Sequence, residues 1–305
     1  MTVKQVRVYS PGSIANLGPG FDVLGVALES LGDIIELQEI DEPEVRLTIR
    51  GVGAERIPVD PERNSSGAIL VKVREDYGLD YGFAAEIRKG LPPGKGMGSS
   101  GASAAATAVA VNELEHLSLR GSELIRLAAV GEGAVAGHPH ADNVAASIMG
   151  GFVLVGEDYD VVRLDAPSVG MVVVAPELEV ENKTRRARDL LPEKVSLRDA
   201  VRNIGHASRM TAAVALHDPV LFGRSVCDSL VEPHRAVMIP GFWDVKEAAL
   251  RAGAYGCSIS GGGPSVFAVG DAVADIAKAM VVAFKDVETR VYFTQPSNRG
   301  ARVIS

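Results

Sequence analysis

Apolar residues recur along the chain at two spacings, every second position in some stretches and near every third or fourth in others. The switches between them lay out a succession of strands and helices. In the first half, VRVYS from Val6, DIIELQEI from Asp33 and EVRLTIR from Glu44 read as strands of a mostly antiparallel sheet, separated by turn residues. NSSGAILVKVREDY, Asn64 to Tyr77, opens on polar residues, carries apolar ones near helical spacing and meets a stop signal at Gly78, which predicts a helix. FAAEIRK from Phe83 returns to the strand pattern and leads into a glycine-rich loop. Ser99 to Leu114 is rich in alanine and opens on small polar residues, so it predicts a buried helix whose close packing tolerates no bulk. A further helix is expected from Ser122 to about Val135, then an apolar strand in GGFVLVG, Gly150 to Gly156.

The stretch EDYDVVRLDAPS that follows is the expected boundary between two domains, residues 1–160 and 161–305. Two domains suit a chain of 305 residues. The second half begins with the strand VGMVVVAP and continues with helical patterns at Leu197 to Leu216 and Trp243 to Ala252. GCSISGGGPSVFAVG then reads as strand, glycine turn and strand, before a helix from Val273 to Phe284 and a last strand, TRVYFT. Two helices on one face of a small antiparallel sheet is the economical arrangement. No repeat of solenoid period is present.

Composition narrows the function. Apolar residues make up 47% of the chain and low-complexity tracts are absent, the profile of an ordinary globular protein. A net charge of -8 argues against nucleic acid as a partner, because duplex binding needs a basic surface. Any polyanion it binds must therefore be small and locally caged. Cys227 and Cys257 are too few for a disulfide framework and lack the neighbours of a zinc site, so both are expected to be buried thiols. No apolar run approaches the ~20 residues of a membrane span and the N-terminus lacks a signal-peptide core, which points to a cytoplasmic protein without a membrane partner.

The loop LPPGKGMGSSGASAAA contains G-x-G-x-x-G as Gly96, Gly98 and Gly101. A dinucleotide fingerprint needs those glycines directly after a strand of a parallel βαβ unit, and here Leu91, Pro92 and Pro93 intervene. The P-loop pattern fails as well, since Lys95 is followed by Gly96 and not by Ser or Thr. What the segment does offer is a run of unshielded backbone N–H groups, the hydroxyls of Ser99 and Ser100, and a helix N-terminus at the same point. Those are the ingredients of an anion nest that suits phosphate. A glycine turn that merely caps a buried helix has the same composition, and the segment alone leaves both readings open.

Other stretches separate them. PGSIANLGPGFDVLGVAL from Pro11, PPGKGMGSSGASAAA from Pro92 and SISGGGPSVFAV from Ser258 resemble, in order and spacing, the three motifs of the GHMP small-molecule kinase superfamily. Within it, NLGPGFDVLG from Asn16, HADNVAASIMGG from His140 and EPHRAVMIPGF from Glu232 resemble the homoserine kinases, which phosphorylate the side-chain hydroxyl of homoserine in threonine biosynthesis. The resemblance spans nearly the whole chain. It implies an α+β, two-domain GHMP kinase fold, with a ribosomal-S5-like N-terminal domain that binds ATP and a ferredoxin-like C-terminal domain that completes the substrate site. One departure is Asn143-Val144-Ala145-Ala146, where homoserine kinases often carry a proline after NVA.

The resemblance also implies roles. Pro92, Pro93, Gly94, Lys95, Gly96, Met97, Gly98, Ser99, Ser100, Gly101 and Ala102 would wrap the ATP phosphates, with the amides of Gly96 to Ser100 as main donors. Lys95 in that run reads as a solvated loop lysine, not a phosphate clamp. Magnesium would be held by the Ser100 hydroxyl and by Glu132, which sits among apolar and small residues. For homoserine, Arg188 and Arg235 would grip the carboxylate and Asp22, with Asn16 beside it, would accept from the ammonium. His140, Asn143 and Thr184 would line the reacting hydroxyl. Arg185 and Arg186 read as surface charges, and the turn Gly261 to Gly263 as backbone that supports the phosphate loop.

Relatives such as mevalonate kinase carry an aspartate base where this chain has Asn143, and an amide cannot accept a proton in that way. Asp142 is adjacent, but side chains on consecutive residues are expected to diverge. Catalysis without a dedicated base, by positioning and electrostatics, is therefore expected of Ser100, Glu132, Asn143 and Arg188. The partners implied are ATP and homoserine, with a homodimer common in such folds. The alternatives are another GHMP kinase acting on a different small hydroxylated metabolite, and a catalytically idle nucleotide-binding module.

Overall fold

In the computed structural model, which describes residues 4–136, 141–178 and 183–305, the first stretch of the chain forms two long strands, β1 (Gln5–Asn16) and β2 (Gly20–Ile40). Both outrun the alternating pattern. The strand read as VRVYS ends at Ser10, yet β1 continues past Pro11 because register shifts between Pro11 and Ser13, and again near Asn16, absorb the irregularity. β3 (Val45–Gly51), α1 (Ser65–Tyr77) and β4 (Gly82–Lys89) follow. Asn64 caps α1, its Oδ1 accepting from the N–H of Ser66 at 2.9 Å, and Gly78 ends it in the left-handed conformation (φ 61°).

Next come α2 (Ser99–Leu114), α3 (Ser122–Ala136), α4 (Ala141–Met149), β5 (Phe152–Val155) and β6 (Val161–Leu164). The described strands of the first sheet run β11-β1-β2-β4-β3, with β5 and β6 added beside the first part of β2. Pairing is antiparallel except between β3 and β4, which α1 connects in parallel. α2 packs against β1 and β2 and is flanked by α1, α3 and α4, and Ala104, Ala106, Ala108 and Ala110 are fully buried. The alanines thus mark a helix that is buried, as expected, along all but its last turn, where Glu113 is exposed.

The second half contributes β7 (Met171–Pro176), α5 (Lys183–Asp189), α6 (Leu197–Ala215), α7 (Pro219–Arg224), α8 (Glu232–Arg235) and α9 (Phe242–Arg251). β8 (Gly256–Ile259), β9 (Val266–Val269), α10 (Val273–Ala283), β10 (Thr289–Thr294) and β11 (Arg302–Val303) complete it. α4, α5, α7 and α8 are too short to show a helical period, which is why periodicity does not predict them. The second sheet, β10-β7-β9-β8, is antiparallel throughout. One face holds α9 and α10 through Val172, Val174, Val245, Ile276 and Met280.

The other face of that sheet is not a separate surface. Met171, Val173, Phe267 and Val269 pack in one core with Ile14, Leu17, Leu28 and Phe152 of the first half and with Met210 and Val214 of α6. All six residues of β7 are buried, because both of its faces are covered. The expected division between residues 160 and 161 falls inside the β5–β6 hairpin, and β11 returns to pair with β1. Cys257 is buried as expected, whereas Cys227 is only half-buried because it lies in the turn after α7. No helix among the described residues is long and apolar enough to cross a membrane.

Candidate active site

A cleft of about 330 Å³ opens where the two halves meet, with the start of α2 in its wall. The loop that enters α2 carries Gly94, Gly96 and Gly98 at φ 73°, 76° and 63°. Two of these positions require glycine on space as well as backbone. A Cβ on Gly96 would stand 2.1 Å from the Ser260 carbonyl oxygen, and one on Gly98 would stand 2.2 Å from Ser13 Oγ and 3.0 Å from Asn143 Oδ1. Gly98 is the N-cap of α2 and no side chain caps the helix there, so the positive end of its dipole is presented to the cleft that Gly96, Gly98, Ser99 and Ser100 line. The strand after α2 and its neighbours, β5, pairs with β2 and not with β4, so no parallel βαβ unit spans the loop.

The loop residues divide into those that face the cleft and those that fasten the loop. Pro93 and Gly94 line the cleft, whereas Pro92, Met97, Gly101 and Ala102 are buried away from it. Met97 sits in the shared core and its carbonyl accepts from the Ser13 N–H at 3.2 Å. Ser99 Oγ donates to the Leu91 carbonyl at 3.0 Å, which closes the loop on itself and leaves Ser100 as the half-buried hydroxyl of the cleft. Lys95 corrects an expectation. It is not solvated but 6% exposed, donating to the Pro176 carbonyl at 2.7 Å and pairing with Glu177 at 3.1 Å, so it fastens the loop to the end of β7.

Glu132, on α3, is 3% exposed and lines the same cleft as Ser100. A hydroxyl and a carboxylate are hard oxygen donors of the kind magnesium takes, alongside phosphate oxygens and waters. Among the described residues no group of three or more His, Cys, Asp or Glu could enclose a metal alone. The donor set therefore fits an ion that arrives with a phosphate ligand.

The opposite end of the cleft is cationic. Arg235, 6% exposed, donates through Nε to the Ala187 carbonyl at 3.1 Å and lies 4.9 Å from the centre of the Phe21 ring. Burial pulls its pKa below the ordinary guanidinium value, while Asp22 opposes that shift. Arg188 pairs with Asp22 at 2.9 Å across the two halves, with Phe21 beneath it at 5.9 Å. Asn16 and Asp22 both adopt positive φ, 70° and 57°, and Asn16 Oδ1 accepts from the Asp22 N–H at 3.0 Å. Asn16 Nδ2 donates to the Gly261 carbonyl at 3.1 Å. Arg185 and Arg186 are exposed, as expected.

Asn143 lies between these ends. Its Oδ1 accepts from Ser13 Oγ at 3.0 Å, and Asp142 Oδ1 accepts from its backbone N–H at 2.8 Å and from its Nδ2 at 3.4 Å. The expectation that Asp142 diverges from it thus fails: both line the cleft, and the Asp142 carboxylate is drawn to the two N–H groups of its neighbour. α4 runs unbroken through Ala146, the position where homoserine kinases often carry proline. His140 and the side chain of Thr184 lie outside the described residues. The turn at Gly261 supports the loop as expected, with Ser260 Oγ donating to the Gly96 carbonyl at 2.8 Å, but Gly261 and Gly262 also line the cleft.

Several residues at the site carry no motif-level signal. Ile57, Pro58 and Asn64 line the cleft on the far side of the loop, where Asn64 reads in sequence only as a helix cap. Asp33 and Lys89 are buried together beneath α2, although each reads as an ordinary strand position. A lysine at the end of a strand, directly before a glycine-rich loop, is the one local clue.

Comparison with known proteins bears on the same segments. The family described as the GHMP kinases N terminal domain matches residues 64–151, and GHMP kinases C terminal matches residues 210–285. A homoserine kinase of Methanocella arvoryzae is 43% identical over 304 residues, covering 98% of this chain and 97% of that protein. One of Natronomonas pharaonis is 45% identical, covering 98% of this chain and 99% of its own. The crystal structure of homoserine kinase from Cytophaga hutchinsonii matches with a TM-score of 0.90 at 38% identity, over 100% of this chain and 98% of that one.

Proposed function

The chain belongs to the homoserine kinase family of the GHMP kinases, and from that premise we propose how its cleft performs the reaction. The activity is ATP-dependent phosphorylation of the side-chain hydroxyl of homoserine, giving O-phosphohomoserine for threonine biosynthesis. The observation that carries the division of labour is that an uncapped helix mouth and a buried arginine open on one cleft from opposite halves of the chain. The amides from Gly96 to Ser100 hold the triphosphate, and the wall with Ile57, Pro58 and Asn64 receives the base. Arg235 and Arg188 orient the amino-acid carboxylate, and Asp22 accepts from the ammonium once Arg188 shares it with the substrate. Asn143, with His140 and Thr184, lines the hydroxyl.

Ser100 and Glu132 are the residues that would hold magnesium, which when bound offsets charge on the phosphate oxygens. Asn143 has no proton-accepting group, and Asp142 is engaged by the two N–H donors of Asn143. The chain therefore positions the hydroxyl in line with the phosphorus and stabilises developing charge through fixed amides, while the proton leaves to phosphate or water. We place residues 1–160 as the ATP-holding half and 161–305 as the half that completes the substrate site, in a cytoplasmic homodimer that light scattering would identify.

The test is ADP release measured across homoserine, mevalonate, shikimate and galactose with magnesium and ATP. Turnover confined to homoserine is the expected result. Release only with another acceptor would move the chain to a different GHMP activity, and nucleotide binding without any turnover would make it an idle binding module.

A further inference from the structure

Beneath the glycine-rich loop, where Lys89 and Ser103 also line the floor of the cleft, lies a buried ion pair to which the reaction just described assigns no role. Lys89, the last residue of β4, is 5% exposed, and Asp33 of β2 is fully buried. Lys89 Nζ contacts Asp33 Oδ2 and donates to the Ser99 carbonyl at 2.8 Å and to Ser103 Oγ at 2.7 Å, which occupies all three of its donors. Asp33 Oδ1 accepts from the N–H groups of Gly90 and Leu91 at 3.0 and 3.3 Å, and its Oδ2 accepts from Ser103 Oγ at 2.8 Å. The carboxylate thus holds the residues that enter the loop, and the ammonium holds those that leave it.

Stability is a weak reason for such a pair. Two charges taken out of water forfeit much of their mutual attraction to desolvation, and apolar residues of like volume often serve a fold as well or better. What apolar residues cannot do is bind the amides of Gly90 and Leu91 and the carbonyl of Ser99. We propose that Asp33 and Lys89 are positioning residues that hold the neck of the phosphate loop closed, so that the amides at the mouth of α2 are aimed before nucleotide arrives. Donors fixed in advance need no reorganisation when charge develops, and that is where electrostatic stabilisation is gained. This assignment rests on the reading of Gly96 to Ser100 as the triphosphate site.

Three variants test it, each examined by thermal melting, by calorimetric titration with ATP and magnesium in the absence of homoserine, and by steady-state kinetics. Lys89→Met leaves Asp33 buried without its partner and is expected to melt early. The double variant Asp33→Leu/Lys89→Met removes both charges and is expected to melt near the wild type, while its KM and Kd for magnesium-ATP rise by about tenfold or more and its homoserine KM stays within about twofold. Ser103→Ala keeps both charges and the fold, and is expected to raise the magnesium-ATP KM by about two- to fivefold. A double variant that binds nucleotide as tightly as the wild type would overturn the assignment. So would an equal rise in both KM values, or, should the double variant not fold, a Ser103→Ala enzyme with unchanged nucleotide KM. Wild-type protein run alongside separates the two readings: if it fails to turn over homoserine, the proposed function falls whatever the variants do to nucleotide affinity.

Discussion

At the scale of single residues, the cleft pairs groups whose surroundings decide their roles. Arg235 is held by the Ala187 carbonyl and by the ring of Phe21, so its guanidinium is fixed before substrate binds and little entropy remains to be lost. Arg235→Leu is therefore expected to raise the homoserine KM by about 30-fold or more, the effect of truncating one partner of a buried charge pair, with little change in the KM for ATP. An unchanged homoserine KM in steady-state assays would remove Arg235 from the carboxylate site. Asp142 is the carboxylate that would compete for the role of base, yet its Oδ1 is committed to Asn143. Asp142→Asn is expected to lower kcat by no more than about tenfold, whereas a loss of about 1,000-fold would assign it general-base catalysis.

At the scale of elements, the glycine-rich loop before α2 is a short segment fastened on every side. Ser13 holds Met97, Ser260 holds the Gly96 carbonyl, Lys95 reaches the end of β7, and the buried pair holds the neck. Gly98→Ala would force a side chain into a left-handed backbone and against Ser13 and Asn143 at once. It is expected to cost about 1–3 kcal/mol of stability and to weaken ATP binding, as melting and nucleotide titration would show. Much of this was legible in the chain. Alanine enrichment marked α2, the Asn64 and Gly78 signals bounded α1, and the GHMP-like motifs named the loop. The long course of β1 past Pro11 was not, because bulges that rescue a strand from a proline depend on its neighbour. Nor was the burial of Lys95, Lys89 and Asp33: a charged residue reads as solvated until a partner distant in sequence is known, and theirs lie 82, 56 and 56 positions away.

At the scale of the whole molecule, the two halves share a core instead of meeting at a polar interface. β7 contributes to both apolar clusters, with Val173 facing the first half and Val172 facing α9 and α10. Such a core couples the halves, and calorimetry is expected to record one cooperative unfolding transition, where two resolved transitions would indicate independent domains. The same packing sets the arginine end of the cleft against the mouth of α2. The most direct measurement is a crystal structure with a non-hydrolysable ATP analogue, magnesium and homoserine. The account predicts the β- and γ-phosphates within hydrogen-bond reach of the amides from Gly96 to Ser100 and the homoserine carboxylate on Arg235. A triphosphate bound elsewhere, or a homoserine carboxylate that leaves Arg235 untouched, would contradict it.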